Sequence, residues 1–524
     1  MMRLHDHELP NYLGAVKGFR VGAVALVLLA TGCSSSTQVS SEAAGALAQD
    51  AGSIPQTQLV APPLTVTVDV PGSDPGFVFI NGGGAGAANL FGSGIPEIAS
   101  GPEILDKKGR PVWFLQIPND QDAGNFQVQT YQGKPVLTWF QGTKLAGADY
   151  IADTNYKIIK KITPHGAPSD FHEFRITPDG RALITSVKTI DADLTGIGGP
   201  KNGKINNSIV NVVDIASGNT LLEWDSAQHL PVTDSALSYR DLSNIPGQAA
   251  VAPLHINSVA LDPDGDLLVS VRAANEMVAV DAHTGAVKWK LGGKDSTFTL
   301  GPGADFAGQH DPQFVDANTI MLFNNNVDLG GTRHGPSSIK WLRLDHQTRT
   351  ATLVREWTQP DNLGTFTQGS VQSLPGGNTF TGWGDANRIT EFAADGRVLW
   401  SAGQPANAPQ KLEGNVGSGG IGTYRAFLQP WVGHPTQKPE LAITTGNGQP
   451  TLHAVWNGAT EVTHWRILTG PTPDALKPLL TAPWNGLNTP IPVPTTAATA
   501  GAYFQIQALD KTGTTIGSSD PTKI

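Results

Sequence analysis

The chain repeats two short patterns of apolar and polar residues. The first is an apolar strand, a turn and a second apolar strand, as in "FRITPDGRALITSV", "VALDPDGDLLVSVR", "QFVDANTIMLFNN" and "VQSLPGGNTFTGWG". The second is a hairpin ending in an aromatic or apolar residue, as in "VNVVDIASGNTLLEW", "VAVDAHTGAVKWKL", "LRLDHQTRTATLVREW" and "TEFAADGRVLW". Short alternating runs bounded by Gly, Pro and Asp are typical of β-strands.

The spacing of these patterns predicts a repeat fold. The last three hairpins begin roughly 50 to 65 residues apart, and the fragments "EILDKKGRPVWF" and "VLTWFQG" indicate two earlier units. A four-stranded unit at about this period is the signature of a β-propeller, whose radial blades leave only short edges. We predict an all-β chain with a six-bladed β-propeller over residues 61–432; five and seven blades are the alternatives.

The segments on either side of residues 61–432 have different patterns. Residues 436–524 contain alternating strands without the blade signature, and they predict a fibronectin type III-like β-sandwich with a structural role. Residues 34–60 are rich in Ser, Ala and Gln without periodicity, and they predict a flexible tether.

Residues 1–33 predict a signal peptide with a lipobox. Lys17 and Arg20 precede the apolar run "VGAVALVLLA", which is shorter than the roughly 20 apolar residues that span a bilayer. The following "TGC" resembles a bacterial lipobox, in which Cys33 is lipidated; an ordinary cleaved signal peptide is the alternative. We expect an exported protein, lipid-anchored to the bacterial envelope in the periplasm or at the cell surface, or else secreted. Cys33 is the only cysteine, so we expect no disulfides or thiolate metal sites.

Charge excludes one class of partner. The formal net charge is −10, only 15% of residues are charged, and Lys and Arg form no cluster. Nucleic-acid binding requires a basic footprint, so we expect no nucleic-acid partner. Contact with a membrane is predicted through the lipid anchor alone.

Three histidines occupy nearly the same position of the repeat. His172, His255 and His310 each lie eight to ten residues before the turn that follows the first strand of their unit. The first strand of a propeller blade lines the central channel, so repeat symmetry directs all three towards the axis. Arg272 ends the next strand of the unit that contains His255 and can reach the same space. A single histidine is more often a buried structural residue, but three at equivalent positions favour a site.

Three histidines alone would also suit a catalytic zinc or copper ion. Arg272 argues against a divalent cation, because a permanent positive charge repels it and attracts an anion. With the amide of Asn257, the set better matches a tetrahedral oxyanion such as sulfate or phosphate. We therefore predict no metal in the site, although a structural calcium elsewhere in the channel is possible. Asp311 and Glu173 neighbour the histidines on alternating strands and are expected to point into the blade.

Several motifs resemble those of one family. "DFHEFRITPDG", "LHINSV", "LLVSVR", "VKWKLGG", "GQHDPQF" and "QGSVQSLPGGNTFTGWG", spread over roughly residues 100 to 400, resemble the bacterial PAPS-independent arylsulfotransferases, which use aryl sulfates directly as donors. The branch shared by actinobacterial and fungal sequences is the most similar. The resemblance implies a six-bladed propeller with its active site in the central channel.

The resemblance also implies residue roles. His310 would be the nucleophile of a ping-pong reaction through a sulfohistidine. Arg272, His255, Asn257 and His172 would hold the sulfuryl oxygens and assist proton transfer. The partners would be an aryl sulfate donor and a phenolic acceptor, and no cofactor would be required. One departure is "FNNN" at 323–326, where the family usually reads "FDNG"; this loop is expected to affect the choice of acceptor.

Other functions remain as alternatives on the sequence alone. The protein could be a surface-anchored propeller that binds a ligand or partner without catalysis, since fold does not determine function. It could also be a metal-dependent hydrolase or lyase with a histidine cluster. The hairpin "DAHTGAVKWKLGG" is similar to those of quinone-dependent propellers, but nothing else in the chain supports a quinone.

Overall fold

The computed structural model describes residues 55–82, 100–118, 120–143, 145–245, 249–403, 423–445, 450–499 and 501–524. The predicted signal peptide with Cys33, and the predicted tether as far as residue 54, lie outside these residues. No helix in the described part of the chain is both long and apolar enough to cross a membrane.

The structure is built almost entirely of strands. The first group is β1 (Thr65–Asp69), β2 (Phe77–Gly82), β3 (Gly101–Leu105), β4 (Pro111–Phe114), β5 (Asp122–Tyr131), β6 (Lys134–Thr143), β7 (Ala146–Ala152), β8 (Ile158–Ile162), β9 (Ser169–Ile176), β10 (Arg181–Ala192), β11 (Gly203–Asp214), β12 (Thr220–Asp225) and β13 (Ile256–Leu261). The second group is β14 (Leu267–Val271), β15 (Glu276–Val280), β16 (Val287–Gly292), β17 (Thr299–Leu300), β18 (His310–Asp316), β19 (Thr319–Asn324), β20 (Ser338–Asp345), β21 (Thr350–Thr358), β22 (Ser370–Ser373), β23 (Thr379–Gly382), β24 (Arg388–Phe392), β25 (Val398–Gly403) and β26 (Phe427–Gln429). The C-terminal group is β27 (Glu440–Thr444), β28 (Thr451–Val455), β29 (His464–Gly470), β30 (Lys477–Pro483), β31 (Asn488–Pro492), β32 (Tyr503–Leu509), β33 (Thr515–Ser518) and β34 (Thr522–Lys523).

The described helices are short. The α-helices are α1 (Ser226–His229) and α2 (Tyr239–Ser243), and the 3₁₀ turns are Gln56–Gln58, Thr195–Ile197, Val232–Asp234, Arg272–Ala274 and Gly384–Ala386. The predicted all-β class is therefore confirmed.

The described strands before residue 430 form six four-stranded antiparallel units. They are β26-β2-β3-β4, β5-β6-β7-β8, β9-β10-β11-β12, β13-β14-β15-β16, β18-β19-β20-β21 and β22-β23-β24-β25. The second and third units share one sheet only through the pairing of Gly147 with Ser169. The short strand β1 extends the sixth unit at β25, and β17 extends the fifth at β21. The strand order within each unit thus follows the repeat read from the sequence.

The "PDG" turns of the repeat have a clear physical basis. In β9–β10, the N–H of Gly180 donates to the carbonyl of Thr177 at 3.0 Å, and Gly180 has φ +82°. Gly265 occupies the same place before β14, with φ +88°. This left-handed conformation is inexpensive only for glycine, which fixes where each hairpin reverses.

Apolar side chains from neighbouring units interlock. One buried cluster joins Val210, Val212 and Trp224 of the third unit to Val259 and Val278 of the fourth. Burying such side chains supplies roughly 1.5–3 kcal/mol each. The units are therefore held to one another by apolar contacts between their faces.

The first strands of the units also contact each other in sequence. Contacts join β5 to β9, β9 to β13, β13 to β18 and β18 to β22, and β26 contacts β5. Gln372 on β22 exchanges hydrogen bonds with the backbone of Leu428 on β26, at 3.1 and 2.9 Å. These first strands carry most of the residues of the candidate site.

The strands after residue 436 form two antiparallel sheets. Their orders are β27-β28-β31 and β30-β29-β32-β33, with β34 paired to β32. A shared apolar core includes Leu452, Trp465, Ile467, Phe504 and Ile506. The arrangement is a two-sheet packing, and its assignment to the fibronectin type III type stays a prediction.

The C-terminal region contacts the first two units, and the residues at the start of the described chain contact the C-terminal region. Asn457 hydrogen-bonds both the backbone N–H and the carbonyl of Phe114 at 2.9 Å, and the hydroxyl of Tyr156 donates to the carbonyl of Gly458 at 2.7 Å. Residues 55–60, assigned to the tether from the sequence, belong to this ordered region. The amide of Gln56 donates to the Lys438 carbonyl at 3.1 Å and accepts from the Asn457 N–H at 2.8 Å.

Candidate active site

The three predicted histidines converge. His172 lies within β9, His310 is the first residue of β18, and His255 immediately precedes β13. The imidazole centroids of His172 and His255 are 4.7 Å apart with the rings nearly perpendicular. His172 and His310 retain only 4% and 2% of their exposure. Repeat symmetry thus brings the three side chains into one cluster, as the sequence predicts, with His172 and His310 buried and His255 partly exposed.

Arg272 lies beside the histidines, at the turn that follows β14. Its backbone N–H donates to the carbonyl of His255 at 2.8 Å, and its Nη2 donates to the carbonyl of Phe366 at 2.7 Å. The guanidinium carbon is 5.2 Å from the centroid of the Phe366 ring. Its Nε has no hydrogen-bond partner among the described residues. The buried guanidinium therefore keeps a donor available to a ligand.

The electrostatics of the cluster keep two imidazoles neutral. Burial lowers the pKa of His255 well below its usual range, and the charges of His172 and Arg272 lower it further. Burial, followed by the charge of Arg272, has the same effect on the pKa of His310. A positively charged cluster out of water disfavours protonation of its members. At neutral pH both rings are free bases.

His310 is hydrogen-bonded at both ring nitrogens. Its Nδ1 lies 2.7 Å from Oδ1 of Asn325, and its Nε2 accepts from the backbone N–H of Gln368 at 3.2 Å. Gln368 has φ +67°, a left-handed backbone conformation that residues other than Gly, Asn and Asp rarely adopt. The ring is consequently held in one orientation.

His172 has a different kind of neighbour. Its Nδ1 lies 3.1 Å from Oδ2 of Asp170, an ion-pair contact if the ring is protonated. The backbone N–H of His172 donates to Oδ1 of Asp170 at 3.0 Å, and the hydroxyl of Thr185 donates to the same oxygen. Asp170 is thereby fixed behind one nitrogen of His172, with the other nitrogen left for a substrate.

Asn257 is fully buried beneath the cluster. Its Nδ2 donates to the carbonyl of Gln309 at 2.7 Å, while its Oδ1 has no partner among the described residues. The carbonyl of Asn257 accepts a 2.9 Å hydrogen bond from the hydroxyl of Tyr424. One of the two amide protons of Asn257 therefore remains for an anion.

The C-terminal segment of the repeat region supplies two site residues that the sequence did not reveal. The ring of Tyr424 lies 5.9 Å from that of His172 and 6.3 Å from that of His310, measured between centroids. Arg425 is 1% exposed and binds both carboxylate oxygens of Glu173, at 2.8 and 2.9 Å. The sequence signal that could have predicted this buried ion pair is the arginine within the apolar stretch "TYRAFLQP".

Glu173 and Asp311 join neighbouring units rather than pointing into their own blades, which corrects the expectation from strand alternation. Glu173 accepts from the Val259 N–H at 3.3 Å, and Asp311 accepts from the Val371 N–H at 3.1 Å. Arg425 lies between them, 3.8 Å from Asp311. Asp311 has φ +48°, so its side chain leaves the alternation that regular strands follow.

The "FNNN" stretch lies inside the molecule. Asn324 and Asn325 are fully buried, and Asn325 contacts the ring of His310. Asn326, where the family motif has Gly, has φ +56°, a conformation that asparagine tolerates. The influence of this loop on acceptor choice stays a prediction.

The described residues contain no candidate metal site. Among those residues, no set of three or more His, Cys, Asp or Glu is arranged to hold a metal ion. Arg272 instead presents a fixed positive charge beside the ring nitrogens of the three imidazoles. Such a set is suited to binding an oxyanion.

A comparison with family models identifies the relationship. The model described as arylsulfotransferase (ASST) matches residues 127–404, more than half of the chain. The chain belongs to the arylsulfotransferase family. The match includes all five predicted site residues, His172, His255, Asn257, Arg272 and His310. Family membership supports sulfuryl transfer as the chemistry of the site, while the branch with actinobacterial and fungal sequences stays a prediction. The comparison with curated proteins finds no match.

Solved structures similar to the chain are distant. A protein of unknown function from Bacteroides caccae has 12% identity and a TM-score of 0.37, covering 63% of this chain and 93% of that one. A catalytically inactive virginiamycin B lyase from Staphylococcus aureus with quinupristin has 12% identity and a TM-score of 0.35, covering 76% and 93%. The periplasmic gluconolactonase PpgL of Pseudomonas aeruginosa has 12% identity and a TM-score of 0.35, covering 63% and 96%. Likenesses at this level do not bear on the function.

Proposed function

We propose that the protein transfers a sulfuryl group from an aryl sulfate to a phenolic acceptor in two steps, through a sulfohistidine at His310 and without a nucleotide sulfate donor. The observation that carries the proposal is the convergence of three imidazoles and Arg272 in one buried cluster. Such a cluster can supply a nucleophile, a proton carrier and ligands for the sulfuryl oxygens. The chain also belongs to the arylsulfotransferase family.

In the first step, the lone pair of His310 Nε2 attacks sulfur. The bond between sulfur and the aryl oxygen breaks, and its electron pair leaves with the phenolate. The depressed pKa of His310 supports this role, because a neutral imidazole is the nucleophilic form. The hydrogen bond from the Gln368 N–H to Nε2 must break when the aryl sulfate binds.

His172 is proposed as the proton carrier. In the first step its proton passes to the leaving phenolate. In the second step an acceptor phenol attacks the sulfur, gives its proton to His172 and returns the electron pair of the S–N bond to His310. The contact of Asp170 with Nδ1 supports the role, because a carboxylate oxygen at 3.1 Å can accept the Nδ1 proton and orient the ring with Nε2 towards the substrate.

Arg272, His255 and Asn257 are proposed to hold the equatorial oxygens of the sulfuryl group. The unpartnered Nε of Arg272 and the remaining amide proton of Asn257 are donors already fixed in place. Donors that need no reorganisation contribute most where charge develops during transfer. The permanent cation Arg272 also stabilises the negative charge that the sulfuryl oxygens and the leaving phenolate share in the transition state.

The decisive experiment is a covalent trap. Purified mature protein is incubated with p-nitrophenyl sulfate in the absence of acceptor and its intact mass is measured. We expect a gain of one sulfuryl group that is discharged when a phenol is added. His310→Asn should gain nothing, whereas His283→Asn, which changes an exposed histidine in a turn, should label like the native protein.

The alternatives give different results in the same assay. A propeller that only binds its ligand would form no adduct and release no p-nitrophenol. A metal-dependent hydrolase would release p-nitrophenol without an adduct and would stop after treatment with a chelator. Labelling of His310→Asn would assign the nucleophile to another histidine.

We also propose that the six units close into a six-bladed propeller. The contacts between successive first strands, and the contact of β26 with both β5 and β22, support closure through the C-terminal strand. A closed ring explains why Arg425, far along the chain, meets Glu173. Deleting residues 423–429 should therefore abolish cooperative unfolding, as measured by calorimetry.

Export and lipid anchoring through Cys33 are a separate proposal. Its support is the sequence of residues 1–33, and an exported enzyme would have no access to cytoplasmic nucleotide sulfates. Labelling of the native protein but not of Cys33→Ser with a radioactive fatty acid would establish the anchor. Equal recovery of both proteins in the culture medium would contradict it.

A further inference from the structure

The hydrogen bonds of His310 define where its proton lies. An amide oxygen only accepts, and a backbone N–H only donates. Asn325 Oδ1 at 2.7 Å therefore requires a proton on Nδ1, and the Gln368 N–H at 3.2 Å requires a lone pair on Nε2. Both contacts select the same neutral tautomer.

The orientation of the Asn325 amide is itself fixed. Its Nδ2 donates to the hydroxyl of Thr365 at 3.0 Å and to the carbonyl of Gln368 at 2.9 Å. Rotating the amide would set its oxygen against the Gln368 carbonyl and its NH₂ group against the ring. The Asn325 carbonyl is also anchored, since it accepts from the hydroxyl of Ser337 at 2.8 Å. The oxygen is thus locked towards His310.

We propose that Asn325 is a positioning residue that makes Nε2 of His310 the attacking atom without giving the ring a charge. The proposal rests on the proposed role of His310 as the nucleophile. When Nε2 bonds to sulfur, positive charge develops on the ring, and the Nδ1–H···Oδ1 hydrogen bond strengthens. A carboxylate in the same place would favour protonation of the free ring and remove the nucleophile.

The contrast with His172 supports this reasoning. A carboxylate, Asp170, stands behind Nδ1 of the proposed proton carrier, and an amide stands behind Nδ1 of the proposed nucleophile. The first arrangement gives Nδ1 of the ring an anionic acceptor. The second orients the ring and leaves it neutral. The group that contacts Nδ1 therefore distinguishes the proposed nucleophile, His310, from the proposed proton carrier, His172.

The kinetic test compares two substitutions of Asn325. Asn325→Leu removes the acceptor, and we expect kcat/KM to fall about 10- to 100-fold with the loss mainly in kcat, as for a lost hydrogen bond to a charged group. Asn325→Asp keeps an acceptor but raises the pKa of His310, so the low-pH limb of kcat/KM should move to higher pH. Its activity should then recover towards that of the native enzyme in alkaline buffer, while Asn325→Leu stays impaired.

Asn324→Asp is the matched control. Asn324 is equally buried and adjacent, but its side chain contacts Ala307, Asn326 and Ser338 rather than His310. Asp is also the usual family residue at this place. An unshifted pH profile in Asn324→Asp is expected. An equal shift in both Asp variants, or no shift in Asn325→Asp, would overturn the proposal.

A second measurement does not depend on catalysis. Nitrogen-15 chemical shifts of labelled histidine distinguish protonated from unprotonated ring nitrogens, and His310→Gln identifies the signals of His310. We expect Nδ1 to be protonated in the native protein and Asn325→Leu to gain Nε2–H tautomer. Unchanged signals in Asn325→Leu would contradict the role of Asn325. If the expected tautomer is observed but no sulfuryl adduct forms, the result would instead count against His310 as the nucleophile.

Discussion

The centre of the repeat region and the C-terminal two-sheet region bury very different side chains. At the centre, imidazoles, ion pairs and amides are buried, and Asn257 Oδ1, Arg272 Nε and Gln309 Oε1 have no hydrogen-bond partner among the described residues. Among the described residues from 450 onwards, Trp465 Nε1 is the one buried side-chain atom of this kind. The rest of that core is aliphatic and aromatic.

This difference separates stability from function. Each buried polar atom without a partner costs about 1–3 kcal/mol, so a protein selected for stability alone would not accumulate them. A ligand that supplies the missing partners recovers the cost on binding. The apolar C-terminal core carries no such cost and offers no such site. Substitutions at the centre should therefore affect sulfuryl transfer, with or without a change in stability. Substitutions in the C-terminal region should affect stability alone.

The largest effect is expected from Asp170→Asn. Without the carboxylate, His172 loses the anionic acceptor that holds its Nδ1 and orients Nε2 for proton transfer, so kcat should fall about 10²- to 10⁴-fold for aryl sulfates with poor leaving groups. The loss should be much smaller for p-nitrophenyl sulfate, whose phenolate leaves without a proton. The measurement is kcat across a series of substituted phenyl sulfates.

The control for Asp170→Asn is Asp179→Asn in the exposed turn of the same unit. This substitution should leave the whole series unchanged. If Asp170→Asn slows every donor by the same factor, the aspartate does not act through the protonation of the leaving group.

The second prediction concerns the ion pair beneath the histidines. Arg425→Met removes the fully buried partner of Glu173 and leaves the two carboxylates only Arg175, which lies 3.8 Å from Glu173 and 3.2 Å from Asp311, and we expect a loss of about 3–5 kcal/mol in the free energy of unfolding. Denaturant titration measures it. Arg425→Met combined with Glu173→Gln should recover part of the loss, because the uncompensated charge is then removed. A loss below about 1 kcal/mol in the single variant would show that Arg175 or water compensates the carboxylates without Arg425.

The difficulty of predicting Arg425 from the sequence shows what limits such predictions. The strands and the convergence of His172, His255 and His310 follow from local periodicity and repeat symmetry, which the sequence displays directly. Arg425 meets Glu173 across 252 positions of chain, through a contact that no repeat position marks. Asn325 is similar, because its function depends on the orientation of one amide. The role of Asp170 could have been predicted from the sequence, because Asp170 lies two residues before His172 on the same face of β9.

Glu276 tests the effect of a buried charge away from the histidines. Burial raises its pKa from 4.5 to about 7, although Lys290 lies 3.3 Å away. Because the folded-state pKa is the higher one, its contribution to stability is complete below pH 4.5 and is lost as the pH rises through about 7. The expected loss is about 1–3 kcal/mol by pH 8.

Glu276→Gln cannot ionise and should lose less stability than the native protein over the same range. Thermal unfolding between pH 5 and pH 8 gives the comparison. Parallel curves for the two proteins would mean that Lys290 compensates the charge of Glu276 fully.

The smallest effect is expected in the C-terminal core. Ile506 is fully buried among Leu452, Phe504 and Ile467, so Ile506→Val removes one methylene and should cost about 0.5–1.5 kcal/mol. Because no proposed catalytic group lies in these sheets, kcat and KM per folded molecule should be unchanged. Calorimetry and steady-state kinetics on one preparation measure both quantities. A change in kcat would mean that the C-terminal region affects the histidine cluster, through Asn457 and the edge of the first unit, and the separation of stability from function would fail there.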